Sequence, residues 1–96
     1  MISHDVLAAY AADAAREVDG VVGLVDGARR HHGVRVTEDD GRFALEVQVA
    51  VDWGSRIPEV GTSVQRRVAE YVRRTAKVPV SVDVVVAGVA APTRSR

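Results

Sequence analysis

From Phe43 to Trp53 every second residue is large and apolar: Phe43, Leu45, Val47, Val49, Val51 and Trp53. Ala44, Glu46, Gln48, Ala50 and Asp52 fall between them. That period of two predicts a β-strand with one buried face and one largely solvated face. Val80, Val82, Val84 and Val86 alternate in the same way with Ser81, Asp83, Val85 and Ala87, and predict a second such strand. Val34 and Val36 alternate with Arg35 and Thr37 in a shorter one, and the β-branched run Val21 to Asp26 supplies another. Asp39-Asp40-Gly41 sits between two of these strands and suits a hairpin turn, because Gly41 can take a positive φ.

Two stretches change to helical spacing. Between Ser3 and Val18, the residues Val6, Leu7, Tyr10, Ala11, Ala14 and Val18 share one side. Ser3 suits the N-cap, Asp5 the positive end of the helix dipole, and Gly20 follows the end. The other side is Ala8, Ala12 and Ala15. Alanine there either serves helix propensity alone or lets a second surface approach closely. From about Ile57 to Ala76 the stripe is Ile57, Val60, Val64, Val68, Tyr71 and Val72, with Pro58 tolerated in the first turn. Gly61 beside that stripe suggests close backbone contact with the sheet.

The order is therefore α-β-β-β-α-β. This is an α+β fold: a mixed sheet of about four strands, with two helices packed on one face. The hairpin makes its two strands antiparallel, and the strand–helix–strand crossover at the end makes a parallel pair. Residues 1–90 are expected to form a single α+β domain and residues 91–96 a disordered basic tail.

Composition narrows the function classes. Thirteen basic and thirteen acidic residues cancel, which argues against a chain built for nonspecific grip on nucleic acid. With no cysteine there is no disulfide, thiolate nucleophile or cysteine-ligated zinc, and a reducing compartment is expected. The start lacks a secretory pattern, and the longest apolar run, Val84 to Ala91, falls well short of the ~20 residues that span a bilayer. A cytoplasmic location follows as an expectation, with any membrane contact indirect through a partner.

Reactive side chains are few and scattered. Ser3, Ser55, Ser63, Ser81 and Ser95 lie in no nucleophile-elbow pattern, His4 is near the terminus, and His31 and His32 are adjacent in a polar loop. Asp39 and Asp40 are explained by the turn better than by a cation. The pattern calls for no catalytic residue, no cofactor and no metal. Gly20-Val21-Val22-Gly23 matches a GxxG loop in letters only, since it leads from a helix into a strand; a helix stop and tight entry to the sheet explain it.

Two surfaces are candidates for binding. Arg66, Arg73 and Lys77 form one stripe of the second helix, with Arg67 and Arg74 on its flank. They are candidate partner-binding residues that could meet phosphates, anionic lipid or an acidic protein. Glu70, four residues from both Arg66 and Arg74, and Glu59 also allow ordinary pairing along a solvated helix. On the sheet face away from the helices, Gln48, Ala50, Val85 and Ala87 are small and weakly polar, a candidate assembly face for a homo-oligomer.

Gly20-Val21 after the first helix begins an ordered series. An alternating valine strand ends in Trp53 and Gly54; Ile57-Pro58-Glu59-Val60, Val64-Gln65, Val82-x-Val84 and Gly88-Val89 follow. In this series the chain resembles the bacterial alkaline-shock-protein family, also called envelope stress response proteins, from the first helix to Val89. The resemblance implies a small non-catalytic protein acting as a protein-binding or self-assembling scaffold at the cytoplasmic side of the cell envelope. Some members lie under the membrane, held by a small integral membrane partner, and can self-associate. Gly54, Ile57, Glu59 and Gln65 match the motif and are read first as strand-to-helix geometry. Trp53 stands where tyrosine is usual, and Ala76 where a glycine often ends the helix. The alternative function is a small RNA- or DNA-binding domain using the basic helix face.

Overall fold

The computed structural model describes residues 3–25 and 32–90. Its elements are α1 (His4–Arg16), β1 (Val21–Leu24), β2 (Val34–Asp39), β3 (Arg42–Asp52), α2 (Ile57–Ala76) and β4 (Val80–Ala90). This is the expected α+β order. The loop residues 27–31, including His31, and the tail expected to be disordered lie outside the described residues.

β3 organises the sheet. β4 pairs with it in parallel along almost its whole length, from Phe43↔Val80 to Asp52↔Ala90. The opposite edge of β3 is shared end to end: β2 pairs antiparallel with Arg42 to Val47, and β1 with Val49 to Val51. The sheet is mixed, as the hairpin and crossover require. Asp40 (φ 57°) and Gly41 (φ 80°) both turn left-handed between the paired residues Asp39 and Arg42. That is the two-residue turn whose twist matches the strands it joins.

Both helices cover the face that carries Phe43, Leu45, Val47, Val49 and Val51, all buried. From α2, Val60, Val64, Val68 and Val72 join them, each contributing about 1.5–3 kcal/mol by leaving water. α1 is wedged between α2 and strands β1 to β3. Its alanine side decides between helix propensity and close approach: Ala8, Ala12 and Ala15 are at most 1% exposed, so small side chains there let the neighbouring layers come near. Tyr10 and Tyr71 meet edge to face at 6.0 Å where the helices touch. Ser3 caps α1 as expected, its Oγ accepting a hydrogen bond from the Val6 N–H at 3.1 Å. At Gly20, φ is +95° and a Cβ would lie 2.9 Å from Val60 Cγ2; this junction is a helix stop and tight sheet entry.

Four details differ from expectation. Trp53 lies just beyond β3 and is 65% exposed, because the strand ends at Asp52 and the chain turns away from the core. Ile57 opens α2 ahead of the first full turn over the sheet and is also exposed. Gly61 makes no close contact: a Cβ there would meet nothing within 4 Å. With Ala76 in place of a terminal glycine, Lys77 itself takes the left-handed C-cap conformation (φ 58°), its N–H reaching Arg73 O.

Candidate interaction surfaces

The face of the sheet away from the helices divides into two halves along β3. Toward the start of β3 it is charged: Arg35 approaches Glu46 at 3.6 Å, Asp83 is aligned with Glu46 on β4, and Thr37, Ala44 and Ser81 are exposed between. Toward its end the register places Gln48 beside Val85, and Ala50 between Gly23 and Gly88. Ala87 sits in the irregularity where Val49↔Val86 gives way to Ala50↔Gly88. The four proposed assembly residues are thus brought together, all at least partly exposed.

The end of the sheet adds a set that sequence reasoning missed. Val22 (54% exposed), Trp53, Ile57 and Val89 (43%) are exposed where β3 and β4 finish and β1 and α2 begin. Val21, Val51 and Val89 lie in one cross-strand row on the helix-covered face, one position further along β3 than the row that places Ala50 and Gly88 on the open face. The alternation that includes Trp53 signalled burial, and only the position of the strand end reverses it.

The basic residues of α2 fall into two groups. Arg67 is taken up structurally: its Nη1 donates to Glu17 Oε1 of α1 at 2.9 Å. Arg73 Nη2 donates to Val80 O at 3.1 Å. Among the described residues, Arg66, Arg74 and Lys77 make no ion pair, and neither does Glu70, while Glu59 pairs with Arg56. The pairing expected from Glu70 along the helix is not formed. Exposed pairs of that kind would contribute at most about 0.5 kcal/mol.

Gln65, one of the motif positions, ties α2 to the outer edge of β4, its Nε2 donating to Val82 O at 3.0 Å. The sequence carried no signal for this, since it depends on where α2 crosses the sheet. At the other end of the molecule His4 approaches Glu38, and His32 approaches Asp5, each at 3.7 Å on the surface. These are separate pairs; among the described residues no group of three or more His, Cys, Asp or Glu is placed to share a metal ion. No helix among the described residues is long and apolar enough to cross a membrane.

A model of the alkaline shock protein 23 family, described as having a cell envelope-related function, matches residues 1–91. The chain belongs to the alkaline shock protein family. No curated protein matches it. Among solved structures, the MamM CTD superposes with a TM-score of 0.67 at 20% identity, covering 96% of this chain and 100% of that one. The zinc form of a MamM CTD variant gives 0.66 at 20% identity, covering 93% and 86%. At such identity these likenesses establish the shared fold. This alkaline shock family chain keeps that fold.

Proposed function

We propose that this alkaline shock family protein is a non-catalytic scaffold, binding protein partners or copies of itself at the cytoplasmic side of the cell envelope. The family supplies the link to the envelope. The observation that carries the protein-binding reading is the set of exposed apolar side chains at one end of the sheet, Val22, Trp53, Ile57 and Val89, at the same end as the uncharged half of the open face with Gln48, Ala50 and Val85. Large exposed apolar side chains gathered in one region mark association sites. The depression lined by Glu17, Asp19, Ser63, Arg66, Arg67 and Glu70 is open to solvent, and its Glu17 is spent on Arg67, which favours binding over chemistry. Membrane association would come through a partner, such as a small integral membrane protein.

Ala50→Glu combined with Val85→Lys tests the assembly face. Light scattering is expected to show an oligomer of the unaltered chain and a monomer of the variant; an unchanged mass would refute this face. Pull-down from a membrane fraction tests the envelope partner. A second reading, a small RNA- or DNA-binding domain, draws on Arg66, Arg74 and Lys77, in no ion pair among the described residues, together with Arg73. It requires binding that weakens steeply with salt and is abolished by Arg66→Glu with Arg73→Glu and Lys77→Glu.

A further inference from the structure

β4 leaves one whole edge unpaired by any strand among the described residues. The direction of its backbone groups follows from the register. Phe43 N–H donates to Pro79 O, so the carbonyls of Val80 and Val82 face away from β3. Those two are taken: Arg73 reaches Val80 O and Gln65 reaches Val82 O. The same alternation turns the N–H and C=O of Val84 and Val86 outward, and among the described residues no side chain hydrogen-bonds to them before the irregularity at Ala87. The edge is therefore capped over its first half and open over its second.

α2 stands alongside this edge and leaves room beside it. Two depressions of about 360 and 300 Å³ follow one another along the α2–β4 seam, with Gln65 in the wall of both. The one beside Val84 is walled by Gly61 and Thr62, and a side chain built on Gly61 would point into open space. The one beside Val82 is walled by Arg66, Glu70 and Arg73, a net charge of one positive, with Arg66 in no ion pair among the described residues.

We infer that the α2–β4 seam binds an extended segment of a partner protein by strand addition. The segment's backbone pairs with Val84 and Val86, and its acidic end lies at Arg66. Strand addition supplies affinity through the main chain and specificity through alternate side chains. The segment runs antiparallel to β4, so its side chains on the helix side lie over Gly61. Beyond the Gln65 cap its next residues meet Arg66, whose guanidinium suits a side-chain or C-terminal carboxylate. This inference rests on the protein-binding reading above and names its site and the chemistry of the partner.

The probe is a display library of random ten-residue peptides with free C-termini, screened against the full chain. Selected sequences should alternate apolar residues and end in Asp, Glu or the free carboxylate. Val86→Pro should weaken a selected peptide at least about tenfold while leaving the fold intact, since proline is tolerated where the N–H faces away from the sheet. Gly61→Leu should weaken it comparably without lowering the thermal midpoint, because leucine favours helix over glycine and has space there. Arg66→Glu should cost at least about tenfold and Arg74→Glu almost nothing.

Failure to select any peptide above background would overturn the inference, as would peptide binding indifferent to Val86→Pro and Gly61→Leu. A dimer of this chain that Val86→Pro dissolves would overturn it too, assigning the edge to a second copy. A discrete membrane-fraction partner captured equally by all variants would sink the site and leave the scaffold reading standing. Absence of both a partner and self-association for the unaltered chain would sink that reading itself.

Discussion

The two helices cover the same sheet face by opposite means. α1 is filled with alanine and buried on two sides, held between the sheet and α2. α2 buries a line of four valines with Ala69 and Tyr71 partly buried beside it, and shows its charged side to solvent. Small side chains made α1 an internal wedge, with little surface left for a partner. α2 has the long cations, the open groove at Gly61 and the glutamine that meets the sheet edge. α1 is thus the more fully buried helix, and the recognition proposed above falls to α2.

Placing a charge in each helix should separate them most sharply. Ala12→Glu buries a carboxylate at a site 1% exposed and is expected to cost at least about 3 kcal/mol in urea unfolding. Arg74→Glu, on the outer surface of α2, should stay within about 0.5 kcal/mol. Equal effects would remove the distinction. Next in size, Val68→Ala should cost about 2 kcal/mol, confirming that the valine line anchors α2 despite its exposed charged side.

The helix starts offer a smaller contrast. α1 has a side-chain cap at Ser3, whereas the Arg56 N-cap of α2 makes no side-chain cap hydrogen bond. Ser3→Ala should lower stability by about 1 kcal/mol, and Arg56→Asp should raise it by about 0.5–1 kcal/mol, both read from thermal unfolding. Smallest of all is the bond between the helices. A double-mutant cycle on Arg67 and Glu17 should give less than about 0.5 kcal/mol, since both side chains are half exposed or more.

Much of this architecture was legible in one dimension. Alternation set β3 and β4, Ser3 and Asp40-Gly41 set a cap and a turn, and α2 runs from Ile57 to Ala76 as its spacing requires. The ordered motif series also pointed to the family that the match over residues 1–91 establishes. These signals are local: a repeat of two or 3.6 residues, or a residue whose own geometry fits a cap or turn, needs no knowledge of what lies opposite.

What the chain could not announce is how the layers meet. Trp53 and Ile57 continue apolar patterns yet are exposed, because a periodic stripe does not say where its supporting layer stops. Ala12 and Gly61 are both small residues on helices; packing buries one against two neighbours and leaves the other beside a groove. The open edge at Val84 and Val86 exists only because β2 and β1 share one side of β3 and leave β4 alone on the other. Pattern along the chain decided which elements form and which side is apolar. The crossing of α2 over the sheet decided which backbone groups are covered, and that depends on residues far apart in sequence.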